Sequence, residues 1–563
     1  MQMKLSKVEW LWLLIIITIF VLLSLFFVGT ELRNGDYDFE TDLTLMRYLK
    51  GDPWSLLVSN RSPVPQYSIP YGGWPPLQTL IQATWLFFGI PLDYSRLLTG
   101  MLIIIAFGFA GVFLAKRIFP QADLILIFMF ALLSPIALLN MSVSTRHILI
   151  PLAAVIALLS LIHYRKTKFP GIFIIVGFFL GLTDWNAYSI LPAVLLYLIL
   201  TIKFPTLSRD IDLKKLFKWL IYSSFGYLTA FLIFKIITIY VIRNSPNIIS
   251  VIPGITLNKL IARSISNPIN YIYSILLYVI RIIVTFIPII ILYVILKITR
   301  WGKLSKDYPN HNNALMIIIV SFMAPTIYYL IFPGHAGIAS AIYQALVFLP
   351  PGIILLCAVY IKDHYKDAVR SIFLIILSLL SLFSLRGQVL LPDYLVEFVS
   401  YPPHVSPLSP GNYDFSPKGK EYDYRAFLRL VVKQMTSLPI THERLTKINS
   451  FNKTVENYYK YGGIIGKKVN DDDIIIIFSP GSMVYSYYLK KLVITVENVN
   501  EMKTLIFKTS QSIPNAKWVL LIPKNTCRNI NYYDGDIKIF HESNIENTPF
   551  DLCRFTIGPL GHE

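Results

Sequence analysis

Apolar residues fill long blocks through the first two thirds of the chain, with short polar stretches between them. The blocks run at about 9–28, 95–115, 122–140, 147–163, 170–184, 187–202, 215–240, 271–297, 314–332, 341–361 and 369–386. Each is of a length suited to a helix crossing the hydrocarbon core of a bilayer, so about eleven spans are expected. The apolar stretch Pro75–Gly89 is shorter and reads as a helix lying in the interface over 75–90. Lys4 and Lys7 precede the first block, which is too long for a signal-peptide core and has no small-residue cleavage site. It reads as a retained span. Beyond about residue 390 the pattern changes. Pro402, Pro403, Pro407 and Pro410 mark a linker, and strand and helix signals then alternate. Asp473–Phe478, Leu492–Val496 and Trp518–Ile522 read as strands, with a helix over Val499–Gln511 between the last two. That βαβ rhythm favours a parallel sheet. The expected fold class is a polytopic α-helical membrane protein, residues 1–390, with a C-terminal α/β domain, residues 391–563.

Charge decides which side is which. With 75–90 in the interface, Lys116-Arg117, Arg165-Lys166-Lys168, Lys203–Lys218, Lys297–Lys306 and Lys362–Arg370 share one side with Lys4 and Lys7. The opposite loops after the first hold only Arg146, Arg243, Lys259 and Arg263. The positive-inside rule therefore places the N-terminus in the cytoplasm, and the 29–74 loop and C-terminal domain outside the cell membrane. A full span at 75–89 would reverse the later loops and break the rule throughout.

Composition agrees and narrows the partners. Of 563 residues, 55% are hydrophobic and 15% charged, and the mean hydropathy is +0.57. The formal net charge of +18 is explained by cytoplasmic loops, and no basic stripe interleaved with aromatics suggests nucleic acid. The cytoplasmic loops carry no nucleotide-binding pattern. Three cysteines are too few for a disulfide framework; Cys357 falls in an apolar span, while Cys527 and Cys553 form a candidate extracytoplasmic pair. Asn60-Arg61-Ser62, Asn140-Met141-Ser142 and Asn452-Lys453-Thr454 are outer-side glycosylation sequons.

Candidate chemistry gathers on the outer side. Glu31, Asp36, Asp38, Glu40, Asp42 and Asp52 crowd the first outer loop. Glu40–Lys50 has helical spacing, with Leu43, Met46 and Leu49 on one side and Gly51 as a stop, and reads as a short helix lying on the membrane. Its N-terminal dipole favours ionised carboxylates, while their mutual repulsion raises at least one pKa toward that of a useful general base. The plain alternative is a solvated acidic loop capping a helix. Arg146 and His147 end a loop at the outer interface, where an arginine either snorkels to headgroups or binds phosphate. Asp184 stands at a helix junction as a cap or a site residue, and His335 lies between Gly334 and Gly337 in an outer loop. Arg281 and Lys235 sit inside apolar blocks, where an ionisable group needs a partner or a water-filled cavity; Arg281 is the better anion-binding candidate.

These residues resemble the GT-C glycosyltransferases, in particular the protein O-mannosyltransferase and aminoarabinose transferase branch. The likeness rests on the first span, the acidic motif at its outer end, the helix ending at Gly51-Asp52 and the Pro75-Pro76-Leu77 helix ending in Phe87-Phe88-Gly89. Lys116-Arg117-Ile118-Phe119, Leu133-Ser134-Pro135 and Arg146 extend it to about residue 200, with likeness in topology alone from there to 390. It implies a GT-C-like fold that moves a sugar, with inversion, from a polyprenyl-phosphate (dolichyl-type) donor to a protein, lipid or glycan acceptor. The family's acidic residues fall on Asp36 or Asp38 as catalytic base. Glu40, Arg146, His147, Asp184, Arg281 and His335 are the candidates for binding substrate and donor, the basic ones by neutralising the departing phosphate. The family's adjacent Asp-Glu pair is Asp36-Tyr37-Asp38 here, and Trp74 stands where a histidine often precedes the prolines.

Two other readings compete. A lipid-linked glycan flippase or other transporter predicts internal repeats and broken helices at the midplane, and no repeat is visible. An oligosaccharyltransferase or polymerase on the same fold commonly needs a divalent metal, which the Asp36–Asp42 cluster is able to coordinate.

Overall fold

The structure is a computed structural model. It describes residues 6–28, 39–73, 75–134, 137–138, 148–163, 170–208, 212–251, 268–304, 311–331, 349–385, 461–478, 482–496, 499–513, 516–523, 537–544 and 548–557. The chain forms two compact units. One comprises Met1–Asn34, Thr84–Phe234 and Thr256–Thr441; the other gathers Gly35–Ala83, Lys235–Ile255 and His442–Glu563. The last segment of the second unit begins at His442, and the sequence pattern carries no sign that residues 35–83 join it.

The first unit is helical. Its elements include α1 (Lys7–Val28), the end of α3 (Leu77–Phe87), α4 (Leu92–Ile118), α5 (Leu124–Leu133), α6 (Leu149–His163), α7 (Gly171–Thr183) and α8 (Ile190–Lys203). It continues through most of α9 (Leu213–Asn244), then α10 (Pro268–Thr299), α11 (His311–Ile331), α12 (Leu349–Cys357) and α13 (Lys366–Leu385). Each expected span overlaps one of these helices, and the shorter stretch at 75–90 holds α3. Among the described residues, α1, α4 and α9 contain stretches long and apolar enough to cross a membrane. The protein is an integral membrane protein. The expected span at 341–361 is shorter than predicted: α12 stops at Cys357, and Val359–Ile361 (β4) pairs antiparallel with Gly302–Leu304 (β3).

Helices that are apolar all round sit in the middle. In α5 every residue from Ile125 to Leu133 is buried. Helix α9 instead exposes Ile221, Phe225, Leu228, Leu232 and Ile236, a stripe at helical spacing suited to lipid. On its other side α9 meets α7 backbone to backbone. A Cβ at Gly177 would lie 1.8 Å from the Ser223 carbonyl oxygen, and one at Gly226 would lie 2.0 Å from that of Ile174. Ser223 Oγ adds a hydrogen bond to the Phe173 carbonyl at 3.1 Å. Small residues drive such close pairing because lipid offers no hydrophobic incentive for two helices to associate.

One end of the bundle is tied by charge. Asp123 caps α5 by accepting from the Ile125 and Leu126 amides, and pairs with Arg370 at 3.1 Å with both side chains 8% exposed. Arg370 also reaches Asp367, which accepts from Trp12 Nε1. Trp12, Asp123 and the 363–370 stretch all flank loops assigned by charge to a single side, as do β3 and β4.

The second unit is an α/β sandwich. The sheet runs β6 (Leu492–Thr495), β5 (Asp473–Ile477), β7 (Lys517–Pro523), β9 (Phe550–Ile557), β8 (Ile537–Asn544). The β5 strand pairs parallel with β6 and β7 as expected, whereas β8 and β9 add an antiparallel edge that the sequence pattern did not suggest. The run Asp473-Ile474-Ile475-Ile476-Ile477 is buried on both faces, as a central parallel strand requires. One face packs Ile475 and Ile477 with α14 (Ser482–Leu489); the other packs Ile474 and Ile476 with α15 (Val499–Ser512).

Cys553 on β9 is disulfide-bonded, and Cys527, its expected partner, lies outside the described residues. Hydrogen bonding to Lys491 and Lys517 holds the Asp471 and Asp472 carboxyls below their usual range. Stability from these pairs is present above the unfolded carboxylate pKa of about 3.9 and is lost as pH falls through the lower folded values. Thermal unfolding scans of Asp471→Asn/Asp472→Asn should therefore differ from wild type at neutral pH and converge with it in acid. For the helix pair, Gly226→Ala should cost about 1–3 kcal/mol by overpacking. The control Gly463→Ala, where nothing lies within 4 Å, should leave the melting temperature in detergent unchanged or slightly raised.

Candidate functional site in the acidic loop

The acidic loop is built into the second unit by helix α2 (Phe39–Leu49). The helix starts one residue earlier than its spacing predicted and ends at Gly51, whose φ of +99° is the left-handed conformation a helix stop needs. It does not lie with one side open, as a helix resting on a membrane would. Phe39 and Leu43 share one buried core with Ile475, Ile477, Val519 and Leu521 of the sheet and Met483 and Leu489 of α14, and Met46 packs against it. The Phe39 ring lies 5.1 Å from that of Tyr487 and 5.9 Å from that of Tyr488. Burial of Phe39 and Leu43 stabilises this seating by about 1.5–3 kcal/mol each. Leu49, expected on the apolar side, is instead exposed.

The polar side of α2 is equally closed. Glu40, Thr44 and Arg47 follow one another at i, i+4 and i+7, a polar stripe beside the apolar one. Arg47 is 1% exposed and serves the loop as a hub. Its guanidinium donates to the carbonyls of Val64 (2.5 Å), Pro65 (3.1 Å) and Tyr67, to Ser68 Oγ (2.9 Å) and to the Asp52 carboxylate. Burial pushes the Arg47 pKa down and Asp52 pushes it back up. Asp52 also caps the turn Pro53–Leu56 through the Trp54 amide. Thr44 Oγ1 accepts from the Asn60 amide at 3.1 Å, which fixes the short strand pair β1 (Ser59–Asn60) and β2 (Pro70–Tyr71) on the helix. Val64 and Tyr67 then reach the opposite face of the sheet, and the Tyr67 hydroxyl donates to the Asp472 carbonyl at 2.6 Å. The loop thus embraces the sheet on both faces.

Glu40 and Asp42 are both 1% exposed. Arg61 pairs with Glu40 at 3.2 Å and lies over the Tyr71 ring at 4.9 Å. Asn60 is buried, and its Oδ1 accepts from the Ser62 and Ile69 amides, so the sequon at 60–62 is a structural turn in the folded protein. Lys235, on the part of α9 within this unit, donates to the Gly72 carbonyl at 3.4 Å, beside the stretch that leads into α3.

In the first unit, Asp184 is fully buried at the end of α7, and its carbonyl accepts from Ala187 at 3.1 Å as the turn Trp185–Ser189 begins. Glu40 and Asp184 therefore belong to different units. Asp36, Asp38, Arg146, His147 and His335 lie outside the described residues, as does the side chain of Arg281 on α10. Among the described residues no cluster of three or more His, Cys, Asp or Glu side chains able to hold a metal comes together. Arg47 and Arg61 are not among the residues that the sequence pattern picked out for the site, and Asn60 entered only as the first residue of a glycosylation sequon. The polar stripe of α2 was visible for Arg47.

No protein-family model matches the chain, and no curated protein matches it by sequence. Among solved structures, it is similar to ArnT from Cupriavidus metallidurans bound to undecaprenyl phosphate, with a TM-score of 0.52 and 12% identity. The match covers 97% of this chain and 98% of that one. The apo state of the same protein matches with a TM-score of 0.52 and 12% identity over 96% and 97% of the two chains. The likeness, over nearly the whole of both chains, shows that this chain shares the fold of that protein.

Arg47 carries the local test. Arg47→Met leaves Asp52 and several carbonyls without their buried donor, and should cost about 3–5 kcal/mol. Arg47→Lys, which keeps the charge but not the fork, should fall between that variant and wild type in thermal unfolding.

Proposed function

We propose that the protein is a glycosyltransferase that takes a sugar from a polyprenyl-phosphate donor and transfers it, with inversion, to a protein, lipid or glycan acceptor at the outer membrane face. The observation that carries this reading is the GT-C likeness over nearly the whole chain to a structure bound to undecaprenyl phosphate, joined to an acidic run in the first outer loop. Asp36 or Asp38 acts as general base on the acceptor hydroxyl or amide. Both immediately precede α2, whose N-terminal end favours the ionised form. Arg146, His147, Arg281 and His335 neutralise or orient the departing lipid phosphate, the charge that develops as the glycosidic bond breaks. Asp184, buried at its helix junction, shapes the substrate cleft. Glu40, paired with Arg61, acts on substrate by holding the loop in place. The N-terminus is cytoplasmic and the α/β domain extracytoplasmic.

The test is sugar transfer in purified membranes from a labelled polyprenyl-phosphate hexose, with Asp36→Asn and Asp38→Asn compared at equal expression. One substitution should abolish transfer, or lower it by at least about 100-fold, within the range for losing a general base. Transfer unchanged in both variants would remove the carboxylates from the mechanism. Transfer that survives EDTA supports this reading over a metal-dependent oligosaccharyltransferase or polymerase. A wild-type protein that transfers nothing but moves lipid-linked glycan across vesicles would make it a flippase.

A further inference from the structure

Helix α3 (Leu77–Phe87) is built inside out. Gln78 and Gln82, one turn apart on one side of it, are 3% and 0% exposed, whereas Leu80 and Phe87 on the opposite side are exposed. An apolar side chain facing outward suits a protein surrounded by lipid. A glutamine facing inward needs a hydrogen-bond partner, because a buried polar atom without one is costly. Gln78 Oε1, Gln82 Oε1 and Gln82 Nε2 are buried and have no such partner in the protein. Both glutamines belong to the second unit, where neighbouring neutral groups are matched. Asn60 Oδ1 accepts from two backbone amides, and Thr44 Oγ1 accepts from a third. Methionine would fill the same space at either position without an unmet polar atom. The carboxamides are therefore best explained by a group that enters and bonds to them.

We propose that Gln78 and Gln82 form a sugar-binding site, in which the two carboxamides take the hydroxyl groups of one sugar ring. This deepens the glycosyltransferase reading and rests on it for the source of the sugar. The three unmet atoms define the ligand. Two are carbonyl oxygens, which need a donor, and one is an amide nitrogen, which needs an acceptor. A lipid phosphodiester offers acceptors alone and would leave both oxygens unmet. A hydroxyl both donates and accepts. Adjacent hydroxyls of a ring can thus receive from Gln82 Nε2 while donating to Gln82 Oε1 and Gln78 Oε1. Helical neighbours four residues apart have Cβ atoms about 5–6 Å from each other, a spacing suited to a single ring. Being neutral, the pair reads the sugar and leaves the lipid phosphate to cationic groups. A site whose buried polar atoms need hydroxyls also discriminates against a ring that lacks them.

Ligand titration followed by thermal unfolding tests this on the purified full-length protein in detergent. The probes are a polyprenyl-phosphate hexose, bare polyprenyl phosphate and a hexose disaccharide. Gln78→Met and Gln82→Met keep the volume and remove the unmet atoms. Without ligand, both variants should melt at or above the wild-type temperature, because no bonded partner is lost. A sugar-bearing probe should bind them about tenfold more weakly, while bare polyprenyl phosphate binds as it does to wild type. Loss confined to the lipid hexose assigns the sugar of the donor to the site. Loss confined to the disaccharide assigns a glycan acceptor. Sugar binding unchanged in both variants would overturn the proposal. So would a lower melting temperature without ligand, together with equal weakening of the bare and the hexose-bearing lipid, since the glutamines would then be structural. A wild type that binds no sugar-bearing probe would overturn it as well. The glycosyltransferase reading is decided separately, by transfer in Asp36→Asn and Asp38→Asn. If wild type binds the disaccharide but neither lipid, and the two variants lose that binding, the sugar site stands and the polyprenyl-donor reading fails.

Discussion

Seating of Phe39 and Leu43 in the sheet of the α/β unit is the interaction on which the second unit depends. It joins the loop at 39–73 to strands more than 400 residues further along the chain. Once α2 is fixed, Arg47 has a defined place from which to gather the Val64–Ser68 carbonyls and hydroxyl. Those residues carry Val64 and Tyr67 to the opposite face of the sheet. Over the described residues 39–73 the loop has only α2, one short turn of helix and the two-residue pair β1–β2, and side chains supplement these: the Arg47 guanidinium, the Thr44 hydroxyl and the Asn60 side-chain oxygen each serve backbone groups. Losing any of these would leave buried donors or acceptors unmatched, which is why the polar stripe of α2 matters as much as its apolar one.

The helical unit follows a different rule. Its outward faces meet lipid, so hydrophobicity cannot say which helix packs on which. Close approach does that instead, through Gly177 and Gly226 at the crossing of α7 and α9 and through side-chain hydrogen bonds between helices. Trp219 Nε1 to Ser160 Oγ at 2.8 Å and Ser381 Oγ to the Leu133 carbonyl at 2.6 Å are of this kind. Among the charges buried in the described part of this unit, Asp123 and Arg370 pair with each other at one end of the bundle.

Much of this was legible in the sequence because the strongest signals are those of period and length. Blocks of apolar residues marked the helices, including the short one at Leu77–Phe87, and the β-branched runs at Asp473, Leu492 and Trp518 marked the parallel strands. The antiparallel edge was missed because Ile537–Asn544 mixes charge and histidine into its run, and Phe550–Ile557 alternates only weakly. The stop of α12 at Cys357 was missed for a different reason. Val359-Tyr360-Ile361 is as apolar as a helix end, and only its pairing with Gly302–Leu304 makes it a strand. Long-range packing is what a single sequence conceals most. Nothing near Phe39 indicates that its neighbours are Tyr487 and Tyr488, and nothing near Asn60 indicates that its amide is spent on its own turn. Of the candidate site, Glu40 and Asp184 are placed and belong to separate units, while the acidic pair Asp36 and Asp38 is known from its position in the chain, directly before a fixed helix.

The most direct test of this account is hydrogen exchange of the full-length protein in detergent or nanodiscs, read peptide by peptide across Phe39–Leu49 and the β5 and β7 strands. A shared core predicts that the amides of α2 exchange with the strands, at the slow rate set by unfolding of the whole domain. If α2 exchanges orders of magnitude faster than β5 and β7 while the strands stay protected, the loop is an independent appendage and the sheet does not hold it.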